Sequence, residues 1–206
     1  MTSSTKIFWN WFKEHNKSYL SLNEIDEDEK DQLLEDLQGH LHEYCDQLYF
    51  QVGGNYREEQ ELIITAEGDK DFFDQVEALI NSAPAIENWT FIAFIQPQDD
   101  LDTTKFEDVE LRPAEMWFLP LESASRPKSI GIKIFTPNYG AIKESKWFKS
   151  AVFKVLDAVL GEKSFAMDID HVDLGLLPGN PEEHGMIELI ELPAFVKWKK
   201  AKLAAL

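Results

Sequence analysis

Residues 40–45 read His-Leu-His-Glu-Tyr-Cys. Two imidazoles, a carboxylate and the chain's one thiol are the donor types that hold zinc. Their spacing argues against a site. The stretch falls in a segment where Leu33, Leu37, Leu41, Tyr44 and Leu48 recur at helical intervals. At about 100° per residue, His40 and His42 point about 160° apart. Only His40 with Glu43, or His42 with Cys45, can share an ion, and each pair supplies two ligands where a structural zinc takes four. Cys45 reads as a small hydrophobe at the edge of the packed face.

A second constellation is Met167-Asp168-Ile169-Asp170-His171-Val172-Asp173. On a strand, alternate side chains share a face, so Asp168 and Asp170 would project together as a cation-holding pair. His171 would take the opposite, packed face. A third is Glu182-Glu183-His184, in a loop bounded by Pro and Gly, where carboxylate and imidazole could perform acid–base chemistry. Phosphate-loop, dinucleotide-binding, nucleophile-elbow and Cys-x-x-Cys motifs do not occur. No catalytic set is assigned and no cofactor is expected.

Charge is the strongest signal. The 206 residues carry 38 acidic and 20 basic side chains, net −18. Such a chain is repelled by phosphate backbones, which argues against a nucleic-acid partner and for a basic protein partner. From Glu24 to Asp36, eight of thirteen residues are acidic, where they would open a helix and complement its dipole. Phe195–Lys202 carries four Lys and no acid on what should be the last helix. Upstream, Phe8, Phe12, His15 and Tyr19 form a stripe flanked by Trp9 and Trp11. Such a stripe serves as core or as a docking arm. On the docking reading, Trp9, Trp11, Asp28 and Glu29 contact the partner.

Apolar residues make up 44% of the chain and aromatics 12%, enough for a core. One cysteine suits a reducing cytoplasm. The opening residues lack the pattern of a signal peptide, and no apolar run is long enough to span a membrane.

Two helices are expected first, over about 5–16 and 26–47. Strands follow at 49–52 and 61–66, then a helix capped by Asp69 and stopped by Pro84, then a strand at 89–95. The polar stretch 96–105 reads as a boundary or mobile loop. Strands are next expected at 115–121 and 129–136, a helix at 143–160 ended by Gly161, a strand at 164–172, a Gly/Pro-rich loop, a short strand at 186–190 and a terminal helix from Pro193. Each half thus runs β-β-α-β. The fold class is α+β, with antiparallel or mixed sheet and helices on one face, close to a tandem ferredoxin-like plan. The halves are 1–96 and 107–206, packed as one compact unit.

The run Glu61–Gly68 (ELIITAEG), with Phe72-Phe73, Ala83-Pro84 and Trp89–Phe94 (WTFIAF), resembles a group of uncharacterised bacterial proteins of unknown function. Leu156-Asp157 and Leu160-Gly161-Glu162 are similar to the same group. The resemblance implies a bacterial cytoplasmic protein and carries no activity, cofactor or catalytic residue. The leading expectation is a non-enzymatic interaction module for a basic protein. The rival is an enzyme or a metal- or small-ligand-binding protein using a cleft between the halves, with Asp168, Asp170 and His184 as its first residues. A third reading is a homodimer through a sheet face or the aromatic helix.

Overall fold

The computed structural model describes residues 3–54, 59–101 and 103–204. The chain is α+β and divides into two compact units, Met1–Ile95 and Gln96–Leu206. The division falls between Ile95 and Gln96, at the start of the polar stretch 96–105. Asn55, expected in the turn that ends the first strand, and Asp102 lie outside the described residues.

In the first unit α1 (Ser3–His15) leads through a 3-10 turn to α2 (Glu27–Tyr44). Asp26 caps α2, its carboxylate accepting from the Glu29 N–H at 2.9 Å. That satisfies one of the helix's orphan amides. β1 (Tyr49–Gly54) and β2 (Gln60–Thr65) follow, then α3 (Phe73–Asn81) and β3 (Trp89–Ala93). Asp69 caps the turn into α3 by accepting from the Asp71 N–H. β1 is antiparallel to β2, and β2 is parallel to β3.

That register puts Gln60, Leu62 and Ile64 on one face, with Phe50 and Val52 of β1 beside them and Trp89 and Phe91 of β3 on the other side. α1 packs its rings on this face. Trp9 meets Phe91 at 4.6 Å between centroids, and Phe12 meets Trp89 at 5.0 Å, both edge-on. Edge-to-face pairs place a positive rim against a negative π face, beyond the burial of about 1.5–3 kcal/mol per large side chain.

Tyr19 ties the 3-10 turn to α2, its hydroxyl donating to the Leu33 carbonyl at 3.1 Å. Burial first, and then the negative charge of Asp36, push its pKa well above the ordinary 10. Burial first, and then Cys45, also raise Tyr44, which donates to the Gln75 carbonyl. The folded phenols hold their protons more tightly than the unfolded ones. Their contribution is therefore complete below pH 10 and falls as pH rises beyond it. Chemical denaturation at rising pH should show stability dropping above about pH 10, with a shallower drop in Tyr19→Phe.

In the second unit a hairpin comes first: β4 (Thr104–Phe106) and β5 (Val109–Leu111), turning at Glu107, whose φ is 54°. The stretch expected as a boundary loop thus ends inside a strand, and the Gln98 N–H donates to the Ala158 carbonyl. β6 (Trp117–Leu121) and β7 (Gly131–Thr136) are antiparallel. α4 (Tyr139–Ile142), α5 (Phe148–Leu160) and α6 (Glu162–Asp168) precede β8 (His171–Leu176), which runs parallel to β7. β9 (Ile187–Glu188) joins the far edge of β6, and α7 (Leu192–Ala204) closes the chain. The core joins Phe118, Ile132 and Ile134 to Val152, Val155, Leu156 and Val159 of α5, with Leu192 and Val196 of α7.

Two expectations are corrected. The helix expected over 143–160 is broken. Ser145 accepts from the Trp147 N–H at 3.1 Å and donates to Asp108 at 2.7 Å, so α5 begins only at Phe148. The strand expected over 164–172 is α6 up to Asp168. Phe165, Met167 and Ile169 alternate, but Phe165 and Ile169 also stand four apart, and the helical period prevails. Phe165 packs edge-on to Phe153 at 5.2 Å and Ile169 is buried, whereas Met167 is 56% exposed. Gly161, at φ 78°, caps α5 and starts α6 with no residue between them. That backbone region favours glycine.

Candidate functional site

The α2 surface is the most strongly charged feature. Glu24, Asp26, Glu27, Asp28, Glu29, Asp31, Glu35 and Asp36 are all exposed, and none pairs with Lys or Arg in the described structure. Asp28 and Glu29 therefore stand where a partner could meet them. The unit boundary sharpens the imbalance. Residues 1–95 hold 20 acidic and 6 basic side chains, and residues 96–206 hold 18 and 14. The first unit therefore supplies most of the net −18.

The two tryptophans of α1 separate. Trp9 is 4% exposed and its Nε1–H donates to the Leu79 carbonyl at 2.9 Å, so it is core and not a contact residue. The aromatic period placed it beside the stripe; packing on α3 placed it inside. Trp11 is half-buried and lies between two imidazoles, stacked on His40 at 4.1 Å and on His15 at 5.2 Å. His40 also lies 3.7 Å from Asp36 and 3.4 Å from Glu43. His42 faces outward to Gln38 and Tyr49, and Cys45 ends the helix. The two histidines diverge as the helical angle requires.

Asp168 and Asp170 do not form the expected pair on one strand face. Asp168 ends α6 with its side chain 13% exposed. One oxygen is 2.6 Å from Lys200 Nζ and the other accepts from the Ser164 hydroxyl at 2.9 Å. Asp170 precedes β8 and clamps the start of β7. Its carboxylate accepts from the Ile130 N–H at 2.7 Å while its own N–H donates to the Ile130 carbonyl. Both carboxylates are occupied by the chain itself. His171, expected on a packed face, is exposed and shares a face with Lys133 and Asp173. Lys133 lies 2.8 Å from Asp173, and hydrogen bonds from Lys133 and the Leu174 N–H lower the Asp173 pKa. Glu182, Glu183 and His184 form an exposed 3-10 turn. Among the described residues no three His, Cys, Asp or Glu side chains converge to hold an ion.

Arg112 lies 3.5 Å from Glu110 and 3.4 Å from Glu115, on the wall of a cavity of about 370 Å³ at the end of β7. Lys200 and Asp168 line another of about 440 Å³ with Lys197. The Lys200–Asp168 contact was not legible in the sequence, because 32 positions separate the two residues and only the docking of α7 joins them. Among the described residues no helix is long and apolar enough to cross a membrane.

No known protein family, curated protein or solved structure matches the chain. The resemblance carried by 61–68 and 89–94 therefore transfers no residue role.

Proposed function

We propose that the chain is a non-enzymatic interaction module whose acidic α2 surface docks a basic protein partner in a bacterial cytoplasm. One observation carries this reading: eight carboxylates on and just before one helix, all exposed, with no ion pair to Lys or Arg among the described residues. Surface acids usually find nearby cations; a concentrated unneutralised set steers a positive partner and raises its rate of encounter. Trp11, half-buried beside this surface, is the aromatic residue placed to meet the partner, with Asp28 and Glu29.

The recurrence of an antiparallel pair followed by a parallel return strand, β1-β2-β3 and then β6-β7-β8, supports the finer architectural reading of two related halves on a tandem ferredoxin-like plan, each with its helices on one face.

The test is binding of a lysine-rich polypeptide by titration calorimetry, and capture from native lysate, at about 0.05 and about 0.5 M salt. Affinity is expected to fall at least about tenfold between them, since exposed charges are screened within a few ångströms at high salt. The triple variant Asp28→Asn, Glu29→Gln, Asp31→Asn should weaken binding by a similar factor. The control Glu182→Gln, Glu183→Gln should not. Affinity indifferent to salt, or unchanged in the triple variant, refutes the reading.

A further inference from the structure

A groove of about 430 Å³ lies in the first unit between β1 and the start of α2. Leu22, Leu34, Phe50 and Val52 give it an apolar wall. Three polar features in it are unexplained by the fold.

Gln60, the first residue of β2, lines the groove and is 7% exposed, yet its Nε2 donates to nothing. Its register partner on β3 is Trp89, 5% exposed, whose Nε1–H is likewise unpartnered. Two buried N–H donors thus stand side by side on one sheet face with no acceptor. Buried donors are nearly always satisfied, because leaving one unpaired forfeits its hydration without return. Lys30 and Glu67 line the same groove. Neither takes part in an ion pair in the described structure, with each other or with any other residue. Lys30 is half-buried and is the one cation in the run from Glu24 to Asp36.

We infer that this groove is a binding site for a small zwitterion with an apolar side chain, an aliphatic or aromatic α-amino acid. The carboxylate would be held by Lys30 and by the orphan donors at Gln60. The ammonium would face Glu67, and the side chain would lie on the leucine and Phe50 wall. A simple organic acid fits less well, because the first unit is strongly negative and repels a net anion. A zwitterion is neutral at long range and still meets each unpaired charge at short range. The volume admits a single amino acid with room for water. The site borrows Lys30 from the acidic run but uses none of its carboxylates, so binding of a free amino acid is read separately from binding of a basic polypeptide.

The test is thermal unfolding and calorimetry of the full chain with L-leucine and L-phenylalanine as probes. Binding to the native state raises the melting temperature, so millimolar probe should shift it upward by a few degrees. The deaminated analogue 4-methylpentanoate and the decarboxylated analogue 3-methylbutylamine should give at most a tenth of the affinity. Lys30→Met should abolish the response, as should Gln60→Leu. Gln60→Leu has a second signature: removing an unsatisfied buried donor should raise the melting temperature of the ligand-free protein by roughly 4 °C. No shift and no heat with either amino acid overturns the proposal. So does an undiminished response in Lys30→Met, or a Gln60→Leu protein that melts lower than wild type, which would show the amide to be satisfied within the fold.

Discussion

Trp9→Ala is expected to lower the free energy of unfolding by about 3–5 kcal/mol, the usual cost of emptying a buried aromatic site. Three losses combine. The indole packs on Phe8, Phe12 and Phe91, and no small rearrangement of α1 refills that volume. The edge-to-face contacts go with the ring. The Leu79 carbonyl at the end of α3 loses the indole donor and keeps the N–H and hydroxyl of Ser82. Trp9→Phe separates the terms, keeping most of the packing and removing the hydrogen bond, for about 1–2 kcal/mol. Equilibrium denaturation by urea, followed by far-UV circular dichroism, measures both. A Trp9→Ala protein as stable as wild type would return Trp9 to the surface and revive it as a docking residue. Trp11→Ala should cost markedly less, because Trp11 is half-buried, and should act instead on binding of the basic partner.

Gly54→Ala is expected to cost about 2–4 kcal/mol, while its neighbour Gly53→Ala should be close to neutral. Gly54 ends β1 at φ 97°, a region that L residues rarely enter, and a Cβ there would sit 2.5 Å from the Glu59 carbonyl oxygen. The obstruction is backbone, so no side-chain rotation relieves it. At Gly53 a Cβ meets nothing within 4 Å and φ is not positive. The pair is a matched experiment in one dipeptide, read as two melting temperatures at about 2–4 °C per kcal/mol. Equal effects would remove the conformational argument. Because Gly54 also borders the groove opposite Gln60, its substitution should weaken amino-acid binding even in the fraction that folds.

The amphipathic elements were legible because their signals are local. The 4, 4, 3, 4 spacing of α2, the Asp26 and Asp69 caps and the apolar run of β2 each depend on neighbours a few residues away. Burial confirms them: Leu37, Leu41, Leu62 and Ile64 are wholly inside. The hairpin at 104–111 was not legible, because its turn lacks the glycine that usually announces one; Glu107 takes the positive φ instead. The run 164–172 misled because Phe165, Met167 and Ile169 satisfy a period of two while Phe165 and Ile169 also satisfy the helical one, and only the ring of Phe153 decides between them.

The candidate sites divide the same way. The acidic run of α2 and the divergence of His40 from His42 follow from sequence spacing alone, since a helix fixes the angle between neighbours. Sequence likewise determined the α+β class and the net negative charge. Tertiary structure decided which aromatic is core, Trp9 and not Trp11. It engaged Asp168 with Lys200 and Asp170 with Ile130, and it brought Lys30, Gln60 and Glu67 to one groove. These outcomes depend on contacts between residues far apart in the chain. A hydrogen bond or a cavity wall has no periodicity along the sequence, so nothing in the order of residues announces it before the elements pack.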